Sequence, residues 1–129
     1  MLKTGILNPQ LASLLARVRH TNTVVIADRG FPFWPGIETV DLSVVNNLPT
    51  VLQVLAAIRP NCVFGKAWMA QEFLKANAKP VQKRFITALT GASLKFEPHL
   101  DFKKRVPNVI GLVRTGDTTP YANMILESA

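Results

Sequence analysis

Apolar residues recur along the chain with two different periods, which predict helices and strands in alternation. Near the start, four apolar residues follow the i, i+3, i+4, i+7 spacing of one buried helical stripe. Asn8 followed by Pro9 suits the N-cap and first position of this helix, which we expect to end near His20. The stripe consists of Leu11, Leu14, Leu15 and Val18.

The next element is a fully apolar segment, residues 23–27 (TVVIA), which is typical of a strand covered on both faces of a sheet. Thr50 and Gln53 match the capping-box pattern and predict a helix that continues to about Ile58. Two more helices are predicted over 80–89 and 100–105. Shorter apolar runs predict the remaining strands, at residues 37–42, 62–69, 94–96, 109–114 and 121–127.

Strands that alternate with helices indicate an α/β fold built in layers around a sheet. The 129 residues have the length of one domain with its own core, and we therefore expect a single domain over 1–129. Only a short turn separates the last two predicted strands, which favours an antiparallel pair within a mixed sheet.

The last predicted strand opens with the only Tyr of the chain, Tyr121, and with Asn123. Side chains two residues apart in a strand point to the same side, so we expect the phenol and the amide to lie side by side. Such a pair at the mouth of a sheet can hydrogen-bond a ligand that is rich in hydroxyl groups.

The composition excludes several classes of protein. Hydrophobic residues make up 48 % and charged residues 18 % of the chain, as in a globular domain, and no apolar stretch approaches the roughly 18 residues of a membrane span. The net charge of +7 permits an anionic partner. The basic residues are dispersed, however, so a solvated basic face is the simpler interpretation and we expect no nucleic-acid partner.

The single cysteine, Cys62, rules out an internal disulfide and is typical of a small buried hydrophobe. The first residues lead into no signal-type apolar core. Together these observations favour a cytoplasmic protein.

Few side chains are available for chemistry. His20 and His99 each lie at the edge of a predicted element, and Asp28 follows a buried strand, where ligand sites of α/β sheets are found. Each also has a structural explanation: His20 as a cap of the helix C-terminus, His99 as a surface residue, and Asp28 as the cap of a turn.

Several other chemistries are excluded by motif. The chain has no P-loop, no dinucleotide-binding glycine motif, no nucleophile elbow and no His or Cys cluster with metal-ligand spacing. What remains is a cofactor-free site that moves protons on a polar, neutral molecule.

Five segments in order make the chain resemble the D-ribose pyranase (RbsD) family, a group of sugar mutarotases that also includes the L-fucose mutarotases. Each motif is weak alone, but together they extend over nearly the whole chain. They are residues 5–8 (GILN) with 19–23 (RHTNT), 26–32 (IADRGFP), 40–43 (VDLS), 99–103 (HLDFK), and 113–117 (VRTGD) with 119–123 (TPYAN).

The resemblance implies a three-layer α/β/α fold with a central mixed sheet. It also implies an enzyme without cofactor or metal that interconverts the pyranose, furanose and anomeric forms of D-ribose or a similar monosaccharide. His20 would be the acid–base group, because an imidazole with a reference pKa of roughly 6.5 both gives and accepts protons near neutrality. The substrate-binding residues would be Asp28, His99, Lys103, Tyr121, Ala122 and Asn123.

Members of the family form decamer-like rings with sites between subunits. The resemblance therefore implies a homo-oligomer, in which Phe33 and Trp34 are candidate contacts. The His-x-x-Phe-Lys and Tyr-Ala-Asn segments match the ribose branch rather than the fucose branch.

Three departures from the family pattern leave the sugar open: Arg19 in place of Gly, Arg29 in place of a small residue, and the bulky Phe33–Trp34 pair. The added cation of Arg29 extends the candidates to a phosphorylated or acidic sugar. Two alternatives remain, namely a mutarotase of another sugar such as L-fucose, and a non-catalytic sugar-binding or regulatory protein on the same fold.

Overall fold

The computed structural model describes residues 1–129 and contains one six-stranded mixed sheet. Its strand order is β2-β5-β1-β6-β3-β4, in which β6 runs antiparallel to both of its neighbours and the other pairs are parallel. The strands are β1 (Thr23–Ala27), β2 (Thr39–Asp41), β3 (Phe64–Ala70), β4 (Ser93–Glu97), β5 (Gly111–Arg114) and β6 (Met124–Ser128). The helices are α1 (Pro9–Ala16), α2 (Val51–Ile58), α3 (Glu72–Ala76), α4 (Lys79–Ala88) and α5 (His99–Arg105).

Helices cover both faces of the sheet, which confirms the three-layer α/β/α arrangement. Alternate residues of β1 pack into different cores, because successive side chains of a strand point to opposite faces: Ile26 lies in one core and Val25 in the other. The first core also contains buried residues of α1, α2, α3 and α4. The second is smaller and contains Phe102 of α5 and Phe31 from the loop after β1.

Helix α1 begins as predicted but ends earlier. Oδ1 of Asn8 accepts a hydrogen bond from the N–H of Leu11 at 2.9 Å, the expected cap. The helix ends at Ala16, because a separate turn follows in which Oδ1 of Asn22 accepts from the N–H of Arg19 at 2.9 Å. His20 lies in this turn, so its interpretation as a cap of the helix C-terminus is wrong.

The prediction that the last two strands pair with each other is also wrong. Strand β6 is antiparallel, but β1 lies between it and β5. Residues 115–123 instead cross the carboxyl end of β1: the N–H of Thr115 donates to the carbonyl of Ala27 at 2.9 Å, and the N–H of Asp28 donates to Oδ1 of Asn123 at 2.7 Å. The crossing brings the C-terminal loop onto the end of the buried strand.

The middle of the chain contains a helix that the sequence did not predict. The capping box of Thr50 and Gln53 is present and opens α2, as expected. Between β3 and α4, however, the five-residue helix α3 follows the strand after a single residue. So short a helix is not recognised by periodicity, because it completes little more than one turn.

Candidate active site

The carboxyl end of β1 gathers most of the predicted site residues, beginning with Asp28 and Asn123. Asn123 is buried, with only 4 % of its surface exposed, and it accepts the N–H of Asp28. Oδ1 of Asp28 accepts from the N–H of Gly30 at 3.0 Å, so this carboxylate does cap the following turn. Burial raises the pKa of Asp28, while hydrogen bonds from Gly30 and Asn123 counteract that rise.

Two rings form the other half of this edge. His99 is the first residue of α5, and its imidazole meets the ring of Tyr121 edge to face, with centroids 5.2 Å apart. The imidazole also stacks on Phe102, with centroids 6.0 Å apart. Nδ1 of His99 is buried and has no hydrogen-bond partner within the chain. It is therefore a polar atom that the chain itself leaves unsatisfied.

Burial is the main reason why His99 favours its neutral form. Burial lowers the pKa of His99, and the charge of Lys103, one helical turn further along α5, lowers it again. Glu72 and Asp28 act in the opposite direction. Since the ordinary pKa of histidine is 6.5, this imidazole is mostly neutral at neutral pH.

Tyr121 and Asn123 do not lie side by side on a strand, as predicted. Strand β6 begins only at Met124, and Tyr121 has a φ of +55° in the loop before it. The Tyr121 side chain is 38 % exposed and contacts His99, whereas Asn123 turns inward to Asp28. Ala122 between them is fully buried. The alternation rule failed because the chain turns at this point instead of extending.

His20 lies at the opposite end of β1 from these residues. It precedes the strand and is exposed, and next to it the N–H of Thr21 donates to the carbonyl of Ser128, at the far end of β6, at 3.0 Å. The five residues of β1, at about 3.3 Å each, separate His20 from Asp28 by on the order of 16 Å. Within one chain, the structure brings together the predicted binding residues but not His20.

Two residues near α3 contact the site and were missed by the sequence analysis. Both carboxylate oxygens of Glu72 accept from the N–H of His99, at 3.0 and 3.2 Å. Nδ2 of Asn77 donates to the carbonyl of Pro120 at 2.9 Å. No sequence motif indicated these two residues, because each hydrogen-bonds a segment that is far away in the sequence.

Asp117 anchors the loop that carries Tyr121. Its Oδ2 accepts from the N–H of Val51 at the start of α2, at 2.9 Å, and its Oδ1 accepts from the N–H of Thr119 at 2.8 Å. Only 2 % of Asp117 is exposed. Its charge also raises the pKa of Asp28.

Arg29 points its cation toward the turn at 45–48, where Nη1 donates to Oδ1 of Asn46 at 2.9 Å. Its carbonyl accepts from Nε and Nη2 of Arg114, at 3.1 and 2.9 Å. A cavity of about 170 Å³ is lined by Asp28, Arg29, Gly30 and residues 117–120. A cavity of about 450 Å³ lies beside it, lined by the two arginines and the 31–33 loop, among others.

Of the three loop aromatics, Phe31 belongs to the core, Trp34 packs against it in part, and Phe33 is 76 % exposed.

Among the described residues 1–129, no three His, Cys, Asp or Glu side chains are grouped so that they could hold a metal ion. None of the helices combines the length and the apolar character that crossing a membrane requires.

The model of the RbsD / FucU transport protein family matches residues 1–129. The chain is 37 % identical to the D-ribose pyranase of Bacillus cereus, over 99 % of this chain and 97 % of that protein. It is 36 % identical to the D-ribose pyranase of Bacillus mycoides with the same coverage.

Two solved structures are similar to this fold. Bacillus subtilis RbsD complexed with D-ribose has a TM-score of 0.93 at 33 % identity, over 100 % of this chain and 98 % of that one. The fucose mutarotase of Streptococcus pneumoniae in complex with L-fucose has a TM-score of 0.78 at 20 % identity, over 99 % and 98 %.

Proposed function

We propose that this chain, which belongs to the RbsD / FucU transport protein family, is a sugar mutarotase. It interconverts the pyranose, furanose and anomeric forms of D-ribose or a similar monosaccharide. The observation that supports this function best is the polar cluster at the carboxyl end of β1, whose oxygens, imidazole and phenol suit hydroxyl groups. The similar RbsD of Bacillus subtilis was solved with D-ribose.

The reaction is acid–base chemistry on a hemiacetal. A base removes the proton of the anomeric hydroxyl while an acid protonates the ring oxygen, so that the bond between C1 and the ring oxygen breaks and C1 becomes an aldehyde. The aldehyde closes again through the same hydroxyl to exchange anomers, or through another to exchange ring sizes. We assign this proton transfer to His20, since one well-placed acid–base group contributes about 10²–10⁴-fold.

We assign sugar binding to the cluster of residues at the carboxyl end of β1. The carboxylate of Asp28 accepts hydrogen bonds from hydroxyl groups, and the amide nitrogen of Asn123 donates to them. The imidazole of His99 and the phenol of Tyr121 provide further hydrogen-bonding groups at the edge of the site. Lys103 contributes a cation beside His99, and Ala122 contributes its backbone.

A consequence of this assignment is that the site belongs to two chains. His20 and the cluster lie at opposite ends of β1, so an acting His20 has to come from a second copy of the chain. We therefore propose a homo-oligomer, ring-shaped as in the family, with sites between subunits. Phe33, exposed in the loop that follows Asp28, is a candidate contact, with Trp34 behind it.

We further propose that the 129 residues act as a single cytoplasmic domain. The lone Cys62 is half-buried, and burial raises the pKa of its thiol, as in an inert structural cysteine.

Saturation-transfer NMR on equilibrated D-ribose tests the function. The protein should accelerate exchange between the pyranose and furanose signals, and His20→Ala should abolish the acceleration. A panel that includes L-fucose separates ribose from other sugars. Saturable binding of sugar with no acceleration by the wild-type protein would contradict the enzyme and favour a sugar-binding role.

A further inference from the structure

The short helix α3 (Glu72–Ala76) holds both rings of the candidate site. We propose that Glu72 and Asn77, which follows the helix, are positioning residues that fix His99 and Tyr121 for the sugar. The inference rests on the proposed function, because it assigns these two rings to sugar binding.

Glu72 fixes the start of α5. The N–H of the first residue of a helix has no partner within the helix, and Pro98 before it provides no side-chain cap. The carboxylate of Glu72 fills this role from α3, with both oxygens on the N–H of His99. A charge-assisted hydrogen bond of this kind holds the backbone of His99 against the sheet.

Asn77 fixes the turn that carries Tyr121. Its Nδ2 donates to the carbonyl of Phe73 in α3 and to that of Pro120, each at 2.9 Å. Tyr121 has a φ of +55°, a backbone conformation that a bulky residue keeps only where its surroundings impose it. The bond to Pro120 restrains the peptide directly before Tyr121.

Asn77 is itself held from behind. Nε2 of Gln82, a residue only 8 % exposed, donates to the carbonyls of Leu74 and Asn77, each at 2.8 Å. The five-residue helix is therefore tied to α4 on one side and to both site segments on the other. The contact between the rings of His99 and Tyr121 depends on these ties.

A matched pair of variants tests the role of Asn77. Asn61 also donates from Nδ2 to a helix carbonyl four residues earlier, that of Ala57 at 3.2 Å, but it has no bond to the site loop. We expect Asn77→Ala to raise the KM for D-ribose about 10-fold with a smaller change in kcat, since misplaced binding groups weaken substrate positioning. Asn61→Ala should leave both constants unchanged. Equal effects of the two variants, or no effect of Asn77→Ala, would overturn the proposal.

The role of Glu72 has a readout that does not depend on turnover. In Glu72→Gln the amide oxygen still accepts the N–H of His99, but the charge is lost. The groups that face His99 are Glu72 from α3, Asp28 after β1, Tyr121 from the loop, and Lys103 on its own helix. Because Glu72 raises the pKa of His99, an NMR titration of the imidazole should show a lower pKa in Glu72→Gln.

Asp101→Asn removes a charge from the same helix and is the control, with an expected titration of His99 like that of the wild type. An unchanged titration in Glu72→Gln, or equal shifts in both variants, would contradict the contact between the Glu72 carboxylate and His99 on which its positioning role rests. These titrations need no turnover. If the wild-type protein accelerates no sugar exchange, the proposed function is refuted. The titrations still report the contact between Glu72 and His99 in that case.

Discussion

The two ends of β1 differ in how completely one chain builds them. At the carboxyl end, hydrogen bonds and ring contacts within one chain hold four residues in place. These residues are Asp28, Asn123, His99 and Tyr121. At the amino end, His20 stands exposed in a turn. Under the proposed function, the groups for binding a sugar are preassembled within one chain, whereas His20, the proposed group for moving its proton, would come from a second chain.

The largest expected effect is at the amino end. His20→Ala should reduce sugar exchange by about 10²–10⁴-fold, because it removes the proposed acid–base group. The thermal midpoint should stay within a few degrees of the wild-type value, since the side chain is exposed. Exchange-rate measurements by NMR alongside thermal unfolding check both halves. Substantial exchange by a folded His20→Ala protein would remove His20 from the mechanism.

At the carboxyl end of β1, in contrast, a substitution should lower the stability of the chain. Asn123→Ala leaves the partly buried N–H of Asp28 without its acceptor, which costs about 1–3 kcal/mol of the free energy of unfolding. Urea unfolding measures this loss. Asn61→Ala, at an exposed site, is the control and should cost no more than about 0.5 kcal/mol. Equal losses in the two variants would mean that the carboxyl end is not preassembled.

The pH dependence of stability provides a finer test of the carboxyl end. The folded pKa of Asp28 is raised above its ordinary 3.8, so its contribution is full below that value and is lost as pH rises through the folded pKa. The folded pKa of His99 is lowered below 6.5, so its contribution is full above that value and is lost as pH falls through the folded pKa.

Asp28→Asn should therefore gain unfolding free energy relative to the wild-type protein as pH rises above about 4, because only the wild type loses the contribution of Asp28. Urea unfolding of both proteins between about pH 4 and about pH 7 makes the comparison. Parallel curves for the two proteins would contradict the burial of this carboxylate.

The smallest effect on the fold is expected at Phe33. Because this side chain is 76 % exposed, Phe33→Ser should change the stability of the chain itself by no more than about 0.5 kcal/mol. If the loop lies between subunits, however, the variant should shift the assembly toward smaller species in light scattering. An unchanged mass would exclude Phe33 from the interface.

Much of the fold was predictable from the sequence because its signals are local. The N-cap of Asn8, the capping box of Thr50 and the apolar run of β1 each depend on neighbours within a few residues, and each was confirmed. The strand pairing of β6 was mispredicted, since a turn short in sequence crosses over β1 rather than folding back on β5.

The site was predictable only as a set of residues. The motifs gathered Asp28, His99, Tyr121 and Asn123, and the structure brings them to one edge. Their geometry was not predictable, because the φ of Tyr121 is imposed by long-range contacts such as the bond from Asn77, 43 residues earlier, to Pro120. No pattern along the chain encodes such a contact.

Mixing two inactive variants tests the shared site most directly. His20→Ala chains keep the binding cluster, and Tyr121→Ala chains keep the imidazole, so each alone should be inactive or nearly so. After the two are unfolded together and refolded as an equimolar mixture, about one quarter of the sites of a random ring combine both intact halves. We predict that exchange of D-ribose returns to about this fraction of the wild-type rate. A mixture that stays as inactive as its components, although it forms mixed rings, would contradict a site built from both ends of β1.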